Sequence, residues 1–288
     1  MTDFTAGKYS KFTKELMLVL CFVFIGCGSG DSEIIKDRNL EKAVRKALGN
    51  KKGPLQISDL HEIKEIGCLG VSDLSGIQHM KNLESVHFPG PYFFGGRISD
   101  LSPLSELKKL RHLRITAAEV SDLTSLSGVV SLKSLDLPRN KIHDVSPLKN
   151  LTNLEELFLY QNDISDISPL LHLPNLRVLD VSSNNISIIP DFSGSSNLED
   201  LGLFGNKIDD NSNLESFSGI EYVNLGENRI KRCDWLIQLT SDPNMGRIMV
   251  HDNPIECPTD DPTLIMLQNA NRINLNKGTR HKWFWEDD

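Results

Sequence analysis

Apolar and polar residues follow one another along this chain in a pattern that returns at a fixed interval. In the stretch LEELFLYQNDISDISPLLHL, residues 154–173, Leu157 and Leu159 alternate with their neighbours, and Asn162 and Ile164 follow. Alternation with a period of two indicates a short strand that buries one face. The residue at the Ile164 position returns every 22 residues, at Ile98, Val120, Ile142, Ile164, Ile186, Ile208 and Ile230.

The same interval continues towards both ends of the chain with two insertions. Val71 precedes Ile98 by 27 residues and Ile255 follows Ile230 by 25, so five residues are inserted in the first case and three in the second. An Asn stands two residues before each later anchor, at Asn140, Asn162, Asn184, Asn206, Asn228 and Asn253. A period of ~20–29 residues with the pattern L-x-x-L-x-L-x-x-N-x-I is the sequence signature of a leucine-rich repeat.

This pattern predicts an α/β solenoid, a leucine-rich-repeat arc with a parallel concave β-sheet and short 3₁₀ or irregular segments on its convex side. The repeated Asn is expected to bind backbone groups that the tight turn leaves unpaired. Ser-Pro-Leu, which contains Pro103, Pro147 and Pro169, favours a short turn over a full helix. Because no coil buries its apolar side alone, the stacked coils share one continuous core.

Residues 37–257 resemble the 22-residue repeat class of bacterial internalin-like proteins, and residues 37–60 resemble the cap that precedes such arrays. Leu40, Val44 and Leu48 mark one face of a helix, which Gly49 is expected to end. The segment 54–57 then predicts a short strand at the start of the sheet. The resemblance implies a binding domain and leaves its partner open, because this class binds many unrelated partners.

A short apolar run lies near the N-terminus. It covers residues 16–26, follows three lysines and is too short to cross a bilayer stably. The sequence FIGC at 24–27 resembles the lipobox of bacterial lipoproteins, in which the Cys, here Cys27, carries the lipid. A cleaved signal peptide without lipid, or a buried segment of the cap, is the alternative. The predicted regions are a lipoprotein signal peptide (1–26), a tether (27–36), a helical N-terminal cap (37–59), about nine repeat coils (60–257) and a C-terminal cap (258–288).

Charge and motifs argue against several classes of function. The chain has 288 residues and a formal net charge of −8, whereas a nucleic-acid surface is expected to carry a basic patch. The sequence contains no G-x-S-x-G, H-E-x-x-H, P-loop or G-x-G-x-x-G motif. Carboxylates recur in the turns, as at Asp122, Asp144 and Asp166, which indicates a structural role. No Cys pair has zinc-ligand spacing with a nearby His, so we expect no metal. The missing motifs and the structural carboxylates lead us to expect no catalysis and no cofactor.

The outward positions of the strands define a candidate binding surface. They form two rows, of which one begins at Glu65 and His87 and the next at Gly67 and Pro89. Large aromatic side chains on such a face indicate a binding patch, although aromatic residues also simply favour strands. The predicted partner-binding residues are Phe158, Tyr160, Phe204 and Tyr222, with Asp136, Asp180 and Asp200 as an exposed acidic rim. The rim is expected to attract a basic partner, and Gly202 and Gly226 are expected to open space for it.

Two further features carry open alternatives. The insertion at 89–97 contains Tyr92, Phe93 and Phe94, which either fold back over a neighbouring coil or project towards a partner. Cys233 and Cys257 hold nearly equivalent positions on adjacent coils. They form a disulfide in an oxidising envelope or remain two buried thiols.

Together these features favour a noncatalytic, monomeric protein that is lipid-anchored in a bacterial cell envelope and binds a protein partner through its concave face. Gly28 and Ser29 follow Cys27, so Asp, the inner-membrane retention signal of enteric lipoproteins, is absent from the second position and the outer membrane is favoured. Two other classes of function remain open. One is a structural or assembly role with a peptidoglycan or polysaccharide ligand, and the other is inhibition of an envelope enzyme.

Overall fold

The structure is a computed structural model. It describes residues 34–90, 97–210, 212–217, 219–239, 246–257, 262–269 and 272–275. The chain divides into two compact units, Met1–Gly30 and Asp31–Asp288, and every described residue belongs to the second unit. Within these described ranges, no helix is both long enough and apolar enough to cross a bilayer.

A short helical cap covers the first coil. Helix α1, Arg38–Ala47, begins after Asp37, whose Oδ1 accepts the backbone N–H groups of Asn39 and Leu40 at 2.8 and 2.9 Å. The other carboxylate oxygen of Asp37 accepts the N–H and the hydroxyl of Ser72 at 2.8 and 3.0 Å. Leu40 is fully buried against the first coil. The cap is therefore fixed both by apolar packing and by one carboxylate that bonds to two segments.

The segment after α1 is not the strand that the sequence pattern predicts. Helix α2, Ile57–Leu60, lies there, and the carboxylate of Asp59 accepts the N–H of Gln56 at 2.8 Å. A side-chain acceptor in this position stabilises the first turn of a helix. Leu55 is 5% exposed while Ile57, two residues later, is 47% exposed, so the apolar residues here do not follow the alternation of a strand.

One parallel β-sheet runs through the coils, as the repeat predicts. Each strand pairs with the next in sequence order. The strands are β1 Glu65–Gly67, β2 Ser85–Pro89, β3 His112–Thr116, β4 Ser134–Asp136, β5 Glu156–Phe158, β6 Val178–Asp180, β7 Asp200–Gly202, β8 Tyr222–Asn224, β9 Arg247–Met249 and β10 Ile273–Asn274. The last strand extends the sheet into the segment 258–288, so the described part of the chain contains ten strands.

Short turns form the opposite side of the coils. Leu157 and Leu159 enter the core from the strand side, Ile164 and Leu170 enter it from the turn side, and none is more than 2% exposed. Two α-helices lie in the last coils, α3 Asp234–Leu239 and α4 Pro262–Asn269. The 3₁₀ helices of the described residues are Ile77–His79, Ser102–Leu104, Thr124–Leu126, Ser146–Asn150, Ser168–Leu170 and Leu214–Phe217. These elements confirm the leucine-rich-repeat solenoid.

A ladder of Asn side chains connects successive coils. Nδ2 of Asn162 donates to the carbonyls of Leu137 at 3.0 Å and Leu159 at 2.9 Å, and its Oδ1 accepts the N–H of Ile142 at 3.0 Å. Each amide thus bonds to backbone groups that the turn buries, which are costly to leave unpaired. The same arrangement recurs at Asn140, Asn184, Asn206, Asn228 and Asn253.

The repeated Asp residues bind the first N–H groups of the turns. Oδ1 of Asp144 accepts the N–H of Ser146 at 2.8 Å, and Oδ2 accepts the Ser146 hydroxyl at 2.9 Å. These two hydrogen bonds lower the pKa of the Asp144 carboxyl. The same bond to a backbone N–H is made by Asp100, Asp122, Asp166 and Asp191. These carboxylates are therefore structural, as their repetition predicts.

Candidate binding face

Three rows of side chains form the outward face of the sheet, named the open face from here on. The first row is Glu65, Ser85, His112, Ser134, Glu156, Val178, Asp200, Tyr222 and Arg247. The second row is Gly67, His87, Arg114, Asp136, Phe158, Asp180, Gly202, Asn224 and Met249. The third row lies two residues further along each coil and contains Pro89, Thr116, Pro138, Tyr160, Ser182, Phe204, Gly226 and His251.

The first coil departs from the predicted rows. The sequence alignment places Glu65 beside His87, whereas the sheet pairs Glu65 with Ser85 and Gly67 with His87. His87 follows Gly67 by 20 residues, so this coil is two residues shorter than the 22-residue repeat. All of the extra length before Ile98 therefore follows β2. From β2 to β9 the second row pairs as the sequence predicts.

The predicted aromatic residues differ in their exposure. Phe158, Phe204 and Tyr222 are half-buried, so each residue keeps part of its surface accessible. Tyr160 is only 7% exposed, so it belongs to the packed part of the surface and is not the exposed anchor that the sequence predicts. Burial raises the pKa of the Tyr160 hydroxyl, and the nearby Asp136 carboxylate raises it further.

Asp180 is not the exposed rim residue that the sequence predicts. It is 4% exposed, and its Oδ1 accepts the N–H of Ser182 at 2.9 Å. A Cβ atom added at Gly202 would lie 2.6 Å from Oδ1, so the carboxylate of Asp180 leans over the neighbouring strand. Burial raises the pKa of Asp180 to about 6, although hydrogen bonds from Ser182 act in the opposite direction. Gly202 therefore accommodates this carboxylate and does not open space for a partner.

Asp136 pairs with a basic residue on the preceding strand. Nε of Arg114 lies 3.0 Å from Oδ2 of Asp136. Oδ1 of Asp136 is buried and has no hydrogen-bond partner in the part of the chain that the structure describes. Burial raises the pKa of Asp136 to about 6, and the Arg114 charge partly opposes this effect. Arg114 is absent from the predicted site, although its place in the second row marks it as outward.

A histidine fills the other glycine position of the open face. His251 is 2% exposed, its ring centroid is 5.9 Å from that of Phe204, and its Nδ1 lies 3.0 Å from Oδ2 of Asp252. A Cβ atom added at Gly226 would lie 2.6 Å from Cε1 of this imidazole. Gly226 therefore makes room for His251, contrary to the prediction that it opens space for a partner.

Comparison with known proteins places the repeats in a family. The family model described as Leucine Rich repeats (2 copies) matches residues 130–172, 152–194 and 174–216. The crystal structure of internalin C2 from Listeria monocytogenes is similar to this chain, with 26% sequence identity and a TM-score of 0.59. The match covers 84% of this chain and 95% of internalin C2. The chain is an internalin-like leucine-rich-repeat protein.

Other solved structures share the fold of this internalin-like protein. The functional domain of InlJ from Listeria monocytogenes, which includes a cysteine ladder, is 17% identical over 85% of this chain and 60% of its own, with a TM-score of 0.53. The ectodomain of the plant receptor kinase GASSHO1/SCHENGEN3 from Arabidopsis thaliana, in complex with CASPARIAN STRIP INTEGRITY FACTOR 2, is 19% identical over 73% of this chain and 26% of its own, with a TM-score of 0.55. At these identities the likeness shows the fold alone. A comparison with curated proteins gave no match.

Cys233 and Cys257 lie side by side on adjacent coils of the internalin-like protein. Their Cα atoms are 5.7 Å apart, and their sulfur atoms are joined in the structure. Formation of this bond in the cell requires an oxidising compartment and stays a prediction. Among the residues with described positions, no group of three or more His, Cys, Asp or Glu side chains is arranged to hold a metal ion.

Two predicted sites of the internalin-like protein fall outside the described residues. One is the lipidation site Cys27 in the N-terminal unit. The other is the group Tyr92, Phe93 and Phe94 in the insertion after β2. Both stay predictions from the sequence.

Proposed function

We propose that this protein is a noncatalytic, monomeric binding module whose open face holds a protein partner. The observation that carries the proposal is the group of partly exposed aromatic residues from β5 to β8, Phe158, Phe204 and Tyr222. Aromatic side chains supply large contact areas and dominate the energetics of many interfaces.

The architecture supports this function. Stacked coils present side chains from many strands on one continuous face, which suits an extended partner. The GASSHO1/SCHENGEN3 ectodomain has the same fold and was solved with CASPARIAN STRIP INTEGRITY FACTOR 2 bound. A leucine-rich-repeat stack is therefore able to hold a ligand of that kind, and we extend this capacity to the present chain as part of the proposal.

The charge of the open face favours a protein over a neutral polysaccharide. Asp136, Glu156, Asp180 and Asp200 lie in the first two rows of β4 to β7, around Phe158. The hydroxyl groups of a neutral sugar donate hydrogen bonds to carboxylates but do not compensate their charge. A protein partner with basic side chains gains from them in both association rate and specificity.

The test compares two variants of the full-length chain in capture of envelope proteins. Phe204→Ala removes an aromatic ring from the open face, and Ile188→Ala removes a side chain that is 62% exposed and lies outside the three rows. We expect capture of a specific partner to fall by about fivefold or more for Phe204→Ala, which corresponds to a loss of about 1 kcal/mol or more. Capture should be unchanged for Ile188→Ala. Equal capture by Phe204→Ala and the unmodified chain would contradict the proposal.

We also propose that the protein is lipid-anchored through Cys27 in a bacterial envelope, with the outer membrane favoured. The FIGC motif after a short apolar run supports this proposal. The test is metabolic labelling with a fatty-acid probe in a bacterial host. We expect label on the unmodified chain and none on Cys27→Ser, and equal labelling of the two would refute the anchor.

A further inference from the structure

The N-terminal cap is basic, whereas the repeat coils are acidic. Residues 34–64 contain eight Lys or Arg and four Asp or Glu, and residues 65–288 contain 20 Lys or Arg and 31 Asp or Glu. A charge asymmetry of this kind indicates contact with a membrane or a nucleic acid. The cap therefore has a binding chemistry that differs from that of the open face.

Helix α1 separates its apolar and basic residues onto opposite sides. Leu40 and Val44 are fully buried and belong to the core that the cap shares with the coils. Lys42 lies two residues from each of them, about 200° around the helix. The basic residues of α1 have the spacing i, i+4, i+7 and i+8, at Arg38, Lys42, Arg45 and Lys46. This spacing places them in one stripe, which faces away from the stacked coils.

The loop after α1 adds a further lysine to this stripe. Nη1 of Arg45 donates to the carbonyls of Lys51 and Gly53 at 3.2 and 2.7 Å. Lys52 stands between these two residues and is exposed, so it lies beside Arg45. The basic cap face is defined from here on as Arg38, Lys42, Arg45, Lys46 and Lys52.

Three of the four carboxylates of the cap are engaged in local contacts. Glu41 accepts hydrogen bonds from Nε and Nη2 of Arg45 at 2.9 and 2.7 Å. Asp59 pairs with Lys51 at 2.5 Å. Asp37 binds backbone N–H groups at the start of α1 and in the first coil. These carboxylates hold the cap together and leave part of its positive charge uncompensated.

The uncompensated charge lies on exposed lysines of the basic cap face. Lys42, Lys46 and Lys52 are exposed and form no ion pair with any residue that the structure describes. The coils differ, as at Lys133, whose Nζ lies 2.6 Å from Oε1 of Glu155 on the next coil. Three ammonium groups on one side of the cap are thus available to another molecule.

The proposed lipid anchor lies close to this surface along the chain. Cys27 precedes Ile34, the first described residue, by seven residues. Seven residues span at most ~25 Å when fully extended. A lipid on Cys27 would therefore keep the cap within reach of the membrane surface. Asp31 and Glu33 add two carboxylates, and residues 27–64 keep an excess of basic residues.

We propose that the basic cap face binds the anionic phospholipid headgroups of the membrane that holds the lipid on Cys27. This inference rests on the proposed anchor and deepens it by naming the surface that lies against the membrane. Ammonium and guanidinium groups donate to the lipid phosphates. The coils then extend away from the membrane, because their excess of carboxylates is repelled by the same headgroups. In this arrangement the open face stays accessible to a protein partner.

The experiment measures binding of the full-length chain with Cys27→Ser, which lacks the lipidation site, to two kinds of vesicle. One kind is phosphatidylcholine alone, and the other is equal parts of phosphatidylcholine and phosphatidylglycerol, both at ~0.15 M salt. The apolar run at 16–26 contributes to binding of both vesicles. The ratio of the two affinities therefore isolates the part that depends on charge. A duplex DNA of random sequence is titrated in parallel.

Three triple variants of this chain carry the comparison. The cap triple removes charge from the basic cap face, with Lys42→Gln, Lys46→Gln and Lys52→Gln. The matched triple removes the same charge from exposed positions on the coils, with Lys149→Gln, Lys207→Gln and Lys231→Gln. The arginine triple keeps the charge, with Lys42→Arg, Lys46→Arg and Lys52→Arg. Melting temperatures verify that each variant is folded.

A basic residue near an anionic membrane surface strengthens binding by about fivefold. We expect the cap triple to lower the ratio of anionic to neutral affinity by about tenfold or more, and the matched triple to lower it by less than about twofold. The arginine triple should keep the ratio of the parent chain, since the headgroups respond to charge.

Equal losses in the cap and matched triples would overturn the proposal, because they would show attraction by net charge only. Equal affinity of the parent chain for the two vesicles would overturn it as well. Loss of DNA binding in the cap triple with an unchanged vesicle ratio would assign the face to a nucleic acid instead. Fatty-acid labelling of Cys27 is independent of all three results, so failure of the anchor and failure of the basic cap face are distinguishable.

Discussion

Replacement of Asp180 by Asn tests the finding that a buried carboxylate lies within the open face. Asp180 is 4% exposed and leans over Gly202, where its Oδ1 accepts the N–H of Ser182 at 2.9 Å. Asn has nearly the same shape and keeps an oxygen in that place. The substitution therefore removes the charge while the packing and one hydrogen bond remain.

The expected gain in stability follows from the raised pKa. A carboxyl group with a pKa of about 6 in the folded chain and an ordinary value of 3.8 in the unfolded chain lowers the free energy of unfolding at pH 7 by at most about 3 kcal/mol. The new amide group requires an acceptor, which offsets roughly 1 kcal/mol of this gain. We expect Asp180→Asn to raise the free energy of unfolding at pH 7 by about 1–2 kcal/mol.

The pH dependence gives the sharper assay. Because the pKa of Asp180 is raised, its penalty is fully present above pH 6 and disappears as the pH falls towards 3.8. Chemical unfolding at several pH values should therefore show a gain from Asp180→Asn that is largest at pH 7 and absent near pH 4. Asp163→Asn, at an exposed position, should change stability by less than about 0.5 kcal/mol throughout. A loss of stability at pH 7, or a gain independent of pH, would refute the buried carboxylate.

Three further predictions concern the fold. Leu157→Ala should lower the free energy of unfolding by ~2–5 kcal/mol, because Leu157 is fully buried, and an effect below 1 kcal/mol would contradict the assigned register. Gly226→Ala should displace the imidazole of His251 and destabilise the chain by ~1–3 kcal/mol. The control Gly128→Ala should be neutral, because the atom nearest to its added Cβ is 3.9 Å away. Histidine NMR shifts and unfolding curves check both variants. Peptide mapping of protein secreted to an oxidising compartment should find Cys233 linked to Cys257, and two free thiols there would disprove the bond.

The repeat itself was predictable because its signal is carried by many coils at once. Inward positions such as Leu157 recur at one interval, so an error in one coil is corrected by the others. The structural roles of Asn162 and Asp144 follow from the same argument, since a residue that recurs in every turn serves the turn. Regular period and stacking therefore fix the sheet, its order and most of its register.

Exposure on the open face was not predictable from the rows alone. Alternation shows that Asp180 and Tyr160 point away from the core, but it does not show what lies beside them. Asp180 is buried because Gly202 on the next strand leaves room for it, and His251 is buried in the same way over Gly226. The sequence signal for such burial is a large polar residue next to a glycine of the same row, on the neighbouring strand.

The first coil shows how local chemistry interrupts the period. The apolar residues of 54–57 are compatible with a strand. The carboxylate of Asp59, however, accepts a hydrogen bond from the N–H of Gln56, and a helical turn begins there. The distance from Gly67 to His87 is two residues shorter than the repeat. An alignment built backwards from regular coils has no information about either change.

The central claim is that the open face around Phe158 contacts a protein partner, and site-specific crosslinking tests it most directly. A photoreactive benzoylphenylalanine replaces Phe158 in one chain and Lys149, an exposed residue of the 3₁₀ helix Ser146–Asn150, in another. The account predicts a discrete crosslinked protein from position 158 that is lost when Phe204→Ala is added, and no such product from position 149. Equal crosslinking from both positions, or a product from position 149 alone, would contradict it.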